Sequence, residues 1–96
     1  MELFIFARFH AREGEENAVA AAIREVIAPS RGEAGCQALE AYRSTRDPRL
    51  FWIHSRWTDE AAFEFHAEEA HTRRFLNTVA PLIDHPLDIS RSYPFA

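Results

Sequence analysis

Ninety-six residues suffice for one small domain spanning positions 1–96, and 47 % apolar with eight phenylalanines is more than so modest a core can use, which points to association. A formal net charge of −4, with acids interleaved among the arginines, argues against a nucleic-acid partner, since that needs a basic face. No apolar run approaches the ~20 residues that span a bilayer, the amino terminus lacks a basic n-region, and the single cysteine, Cys36, cannot form an intrachain disulfide. The expectation is a soluble cytoplasmic domain that contacts no membrane.

Glu2 to His10 reads as a strand, rich in aromatic and aliphatic side chains. Leu3, Ile5, Ala7 and Phe9 fall on one face, Phe4, Phe6, Arg8 and His10 on the other. Both faces are largely apolar, so both should be covered. Past Gly14 the period changes: Val19, Ile23, Val26 and Ile27 repeat at helical spacing, with Glu15 and Glu16 in the first turn where the helix dipole favours them. Pro29 should bend or end this helix.

Cys36 to Ser44 is a second strand with less apolar content, expected at an edge, and Arg46-Asp47-Pro48-Arg49 a turn. Leu50 to Trp57 is a third strand, apolar on both faces and therefore central beside the first. Thr58-Asp59 suits a helix start, and a helical region follows from Asp59 to Ile83, with a break near Ala70 to Thr72. Within it Phe63, His66, Ala67, Ala70 and His71 share one inward stripe. Pro81 and Pro86 mark its end. Leu87, Ile89, Arg91 and Tyr93 then alternate with Asp88, Ser90 and Ser92, a fourth strand with one polar face.

The order β-α-β-β-α-β predicts an α+β fold, the ferredoxin-like arrangement with a four-stranded antiparallel sheet. Two helices cover one face of such a sheet. The apolar residues on the other face of the first and third strands call for a second copy, so a face-to-face homodimer, a dimeric α+β barrel, is expected. His54 shares that face with Trp52 and Arg56. His10 and His85, at element ends, are expected to be solvated.

Glu33-Ala34-Gly35-Cys36 before the second strand, Trp57 closing the third, Ala62-Phe63 and His66 one to two turns later, and His71-Thr72 with Phe75 together resemble the antibiotic biosynthesis monooxygenase (ABM) type of domain. This family of small dimeric α+β barrels includes quinol monooxygenases and cofactor-free anthrone oxygenases. Two departures stand out. Ser55 occupies a position where family members commonly carry an acid, and no asparagine lies between Met1 and His10, where the haem-degrading branch uses one.

The resemblance implies a cofactor-independent monooxygenase that oxidises a small aromatic quinol or anthrone-like substrate with dioxygen. It needs neither metal nor flavin, because the substrate supplies the electrons. The protein must provide a dry aromatic cavity, anion-stabilising hydrogen bonds and a base. His66 and His71 are the candidate catalytic residues, since imidazole titrates near neutrality. Trp57, Phe63 and Phe75 are the candidate substrate-binding slot, and Trp57 needs a partner for its indole N–H when buried.

No metal is expected. His66 and His71 are five apart rather than three or four, and no acid has a diagnostic spacing. The rival reading is a non-catalytic dimeric module that binds a small ligand or acts as a scaffold. A scaffold would have its helix-sheet interface filled by Trp57, Phe63 and Phe75, whereas an enzyme or binder would keep a cavity with an imidazole in its wall.

Overall fold

The computed structural model describes residues 1–96. The elements are β1 (Leu3–His10), α1 (Glu16–Arg31), β2 (Cys36–Arg43), β3 (Leu50–Trp57), α2 (Glu60–Glu68), α3 (Ala70–Val79), a 3-10 turn (Ala80–Leu82) and β4 (Asp88–Ser92). The strands form one antiparallel sheet in the order β2-β3-β1-β4, the expected ferredoxin-like βαββαβ arrangement.

Alternation in β1 and β3 decides which side the helices cover. Leu3, Ile5, Ala7 and Phe9 are buried beneath them, in register with Trp57, Ser55, Ile53 and Phe51 of β3. From α1 come Val19, Ile23 and Val26, and from α3 come Phe75 and Val79, all buried in the same layer. The opposite face of the sheet is uncovered in the single chain. There Phe6 is 44 % exposed, Trp52 37 % and Tyr42 54 %, and His54 stacks on the Phe6 ring at 4.7 Å.

Two local expectations shift. Pro29 does not end α1, which runs two residues further to Arg31; the Gly32 N–H bonds back to the Ala28 carbonyl at 3.2 Å and closes the last turn. The expected break in the second helical region falls at Glu69, whose extended backbone (φ −65°, ψ 146°) separates α2 from α3. The start of α2 is as the sequence suggests: the Asp59 carboxylate accepts the Ala62 N–H at 2.8 Å.

His10 and His85 do sit at or beyond element ends, but neither is simply solvated. The His10 imidazole, 15 % exposed, lies between two carboxylates, Nδ1 at 2.6 Å from Asp84 and Nε2 at 2.9 Å from Asp47. Its backbone N–H donates to His85 Nε2 at 2.9 Å, while His85 Nδ1 donates to the Pro86 carbonyl at 2.7 Å. This clasp joins the end of β1 to the β2–β3 turn and to the segment leading into β4.

Hydrogen bonds to Asp84 and then Asp47 raise the His10 pKa, and each aspartate is lowered in turn, Asp84 chiefly by His10 and Asp47 by the Arg49 N–H and then His10. A raised histidine stabilises the fold fully below its unfolded value of about 6.5 and loses that contribution as pH climbs through the folded value. The lowered aspartates contribute above about 3.9 and lose it in acid. The clasp is therefore complete between about pH 4 and 6.5. Urea midpoints measured across pH should show the gap between wild type and His10→Gln narrowing on the alkaline side; parallel profiles would refute the pairing.

Candidate functional site

Helices α2 and α3 cross the sheet without filling the space beneath them. A chamber of about 300 Å³ remains, at the small end of the usual ligand-pocket range. Its floor is Ile5, Ala7 and Phe9 of β1 with Ile53 and Ser55 of β3, and its roof Phe63, His66 and Ala67 of α2 with Thr72, Phe75 and Leu76 of α3. Val26 and Ser30 of α1 close one side, and Leu87, Ile89 and Arg91 line the β4 side. The wall is mostly hydrocarbon, so polar groups that reach it act in a low dielectric.

Of the residues singled out by sequence, Phe63, Phe75 and His66 line this chamber. Trp57 is fully buried behind them. Its ring lies 4.5 Å from that of His66, centroid to centroid, and 5.8 Å from Phe63 in an edge-on arrangement. The indole N–H donates to Ser55 Oγ at 3.0 Å. The serine that departs from the family pattern is thus the acceptor a buried indole needs. An orphaned indole N–H would cost about 1–3 kcal/mol.

His66 and His71 converge despite their spacing. The extended Glu69 redirects the chain between the two helices, and the imidazole centroids end up 6.0 Å apart. Both rings donate to one oxygen of Glu33: His66 Nδ1 at 2.6 Å and His71 Nε2 at 2.8 Å from Oε2. Because a carboxylate accepts, His66 carries its proton on Nδ1 and leaves the Nε2 lone pair without a protein partner. Thr72 Oγ1 adds a longer contact to His66 Nδ1 at 3.3 Å. The three side chains are mostly shielded, 11–17 % exposed.

The cluster has two sides. His66 and Thr72 belong to the chamber wall, whereas Glu33 and His71 line an open groove on the outer surface, with Gly35, Thr58, Phe65 and Glu69 among its other residues. Glu33 is a candidate functional side chain that sequence reasoning missed as such. Arg91 is another. Its guanidinium is held by Glu60 at 2.6 Å and Glu64 at 3.1 Å, and lies 5.1 Å over the Phe63 ring at the edge of the chamber. The alternation of Leu87, Ile89 and Arg91 held a clue, because their register with Ala7 and Ile5 puts Ile89 and Arg91 on the helix side.

Glu33, His66 and His71 are also the residues that could hold a metal ion, each offering one ligand atom, all within 4.8 Å of one another. Cys36 does not join them: its thiol contacts the Ala38 carbonyl at 3.7 Å, and burial pushes its pKa up, which keeps it unreactive.

The ABM (antibiotic biosynthesis monooxygenase) family model matches residues 3–78. A Bacillus subtilis (strain 168) protein named "Putative monooxygenase YcnE" is 30 % identical over 69 residues, which make up 72 % of this chain and 73 % of that one. Among solved structures, PA3566 from Pseudomonas aeruginosa is 32 % identical with a TM-score of 0.91, over 99 % of this chain and 95 % of its own. Rv0793 from Mycobacterium tuberculosis, at 23 % identity, shares the fold with a TM-score of 0.94 over 100 % of this chain and 97 % of its own. The match spans both the strands that carry the chamber floor and the helices that carry its histidines. By sequence and by fold, the chain belongs to the antibiotic biosynthesis monooxygenase family.

Proposed function

We propose that this chain is a cofactor-independent monooxygenase that oxidises a small aromatic quinol or anthrone-like substrate with dioxygen. The observation that carries the reading is His66: its Nδ1 is tied to Glu33, and its free Nε2 belongs to a residue in the wall of an apolar chamber. The Glu33 carboxylate and the Trp57 face offset the charge the imidazole gains when it takes a proton.

In this mechanism the substrate hydroxyl, or the acidic ring CH2 of an anthrone, gives its proton to His66 Nε2. The resulting anion passes one electron to dioxygen, and the substrate radical and superoxide combine to a peroxide that takes the proton back. Loss of water leaves a carbonyl, so one oxygen atom stays on the ring and the other departs as water. Phe63 and Phe75 flank the ring, and Arg91 faces a polar edge at the β4 side. His71 holds Glu33 in place from the outer groove.

The functional unit in this reading is a cytoplasmic homodimer of one-domain chains. The support is the uncovered sheet face carrying Phe6, Trp52 and Tyr42, and a monomeric mass in solution would remove it. A cavity with an imidazole in its wall also favours an enzyme or a binder over a scaffold with a filled interior. Oxygen uptake by metal-stripped protein, measured against a panel of quinols and anthrones, is the test. Protein-dependent uptake with quinone formation is expected. No uptake across the panel would overturn the enzyme reading in favour of a ligand-binding module.

A further inference from the structure

Glu33 holds an unexplained atom. Its Oε2 accepts from both imidazoles, but Oε1 is buried with no hydrogen-bond partner in the protein. An acceptor in that position costs free energy unless something satisfies it, and a bound ion is one recognised resolution. Beside this carboxylate the fold brings two imidazole nitrogens, so that three ligand groups meet from three separate places: the α1–β2 loop, α2 and α3. Two histidines and a carboxylate with an open fourth position are a donor set for a divalent first-row transition ion.

We infer that Glu33, His66 and His71 form a binding site for one divalent transition-metal ion of the zinc type, and that metal binding and base catalysis at His66 exclude each other. The 2.6 and 2.8 Å separations fit the proton-bridged form. Ligands at about 2.0–2.1 Å around a tetrahedral ion stand roughly 3.3 Å apart, so on metal binding Glu33 must withdraw by about 0.5–0.7 Å from the two imidazoles, and their ligand nitrogens, within 4.8 Å of each other, must draw together. Each imidazole keeps one proton but moves it to the other nitrogen. His66 then coordinates through Nδ1 and carries N–H at Nε2, so the chamber meets a donor where it had a base. Thr72 Oγ1 or water completes the coordination.

The second half of this inference rests on the proposed oxygenase role, whereas the first does not, and the experiment separates them. Purified full-length protein is stripped of metal and titrated with Co²⁺, whose visible bands report tetrahedral coordination, and with Zn²⁺ by calorimetry and thermal melting. One equivalent should bind, raising the melting temperature of the wild type, with affinity at least about 100-fold weaker in Glu33→Gln and His71→Gln. Absence of a one-to-one site, or binding that both variants retain in folded form, overturns the metal site whatever the activity. If the metal binds as expected, oxygen uptake should disappear in proportion to Zn²⁺ occupancy. Uptake that persists or rises in the loaded protein overturns the exclusion.

Discussion

His66→Ala should lower turnover of a quinol or anthrone substrate by about 10²–10⁴-fold, the usual contribution of a positioned acid-base group. The loss should fall on kcat more than on KM, because the chamber's apolar wall is otherwise intact and a base acts on the transition state. His66→Gln is the companion variant, since it preserves a polar side chain of similar reach but cannot accept the proton. Both should unfold cooperatively, with a far-UV circular dichroism spectrum matching that of the wild type. Undiminished kcat in either folded variant would remove His66 from the chemistry, and attention would pass to Arg91 at the chamber's edge.

Gly35→Ala should be among the most damaging single substitutions for stability. A methyl group there would overlap Cβ of Ala62 on α2 and come within 3.4 Å of Thr58 Oγ1. The obstructing atom is fixed to a helix backbone, so α2 itself must move. Overpacking of this kind costs about 1–3 kcal/mol, which for a chain of this size lowers the melting temperature by about 4–8 °C for each kcal/mol. The same displacement would draw His66 away from Glu33, two residues before the glycine, so activity should fall beyond what the lost stability explains. Ala62→Gly made together with Gly35→Ala should recover most of both losses, and a double-mutant cycle without coupling would refute the close approach.

Alternation made β1 and β3 legible, because central strands with two apolar faces leave few arrangements for a six-element chain. The helical stripe likewise put Phe63 and His66 in one cavity wall, while His71, on the same stripe, lies outside it, and Phe75 was marked by the resemblance rather than by the stripe. What remained hidden lies in relations the sequence does not encode locally. Glu33 meets its histidines across 33 and 38 residues, and no periodicity links a loop carboxylate to two later helices. The five-residue spacing of the histidines looked divergent because it was measured on a continuous helix, whereas extended Glu69 resets the direction of the chain. His10 looked solvated because its two aspartates come from turns 37 and 74 residues away.

The two-sided placement of the histidine cluster has a bearing on traffic. Under the proposed function, a substrate in the chamber would seal the inner side of His66, while Glu33 and His71 line the outer groove. Solutes arriving from outside therefore need not compete with substrate for one doorway. An inhibitor acting through the groove would depress the maximal rate without being outrun by excess substrate, so the pattern of inhibition, noncompetitive or competitive, reports which side of the wall it uses.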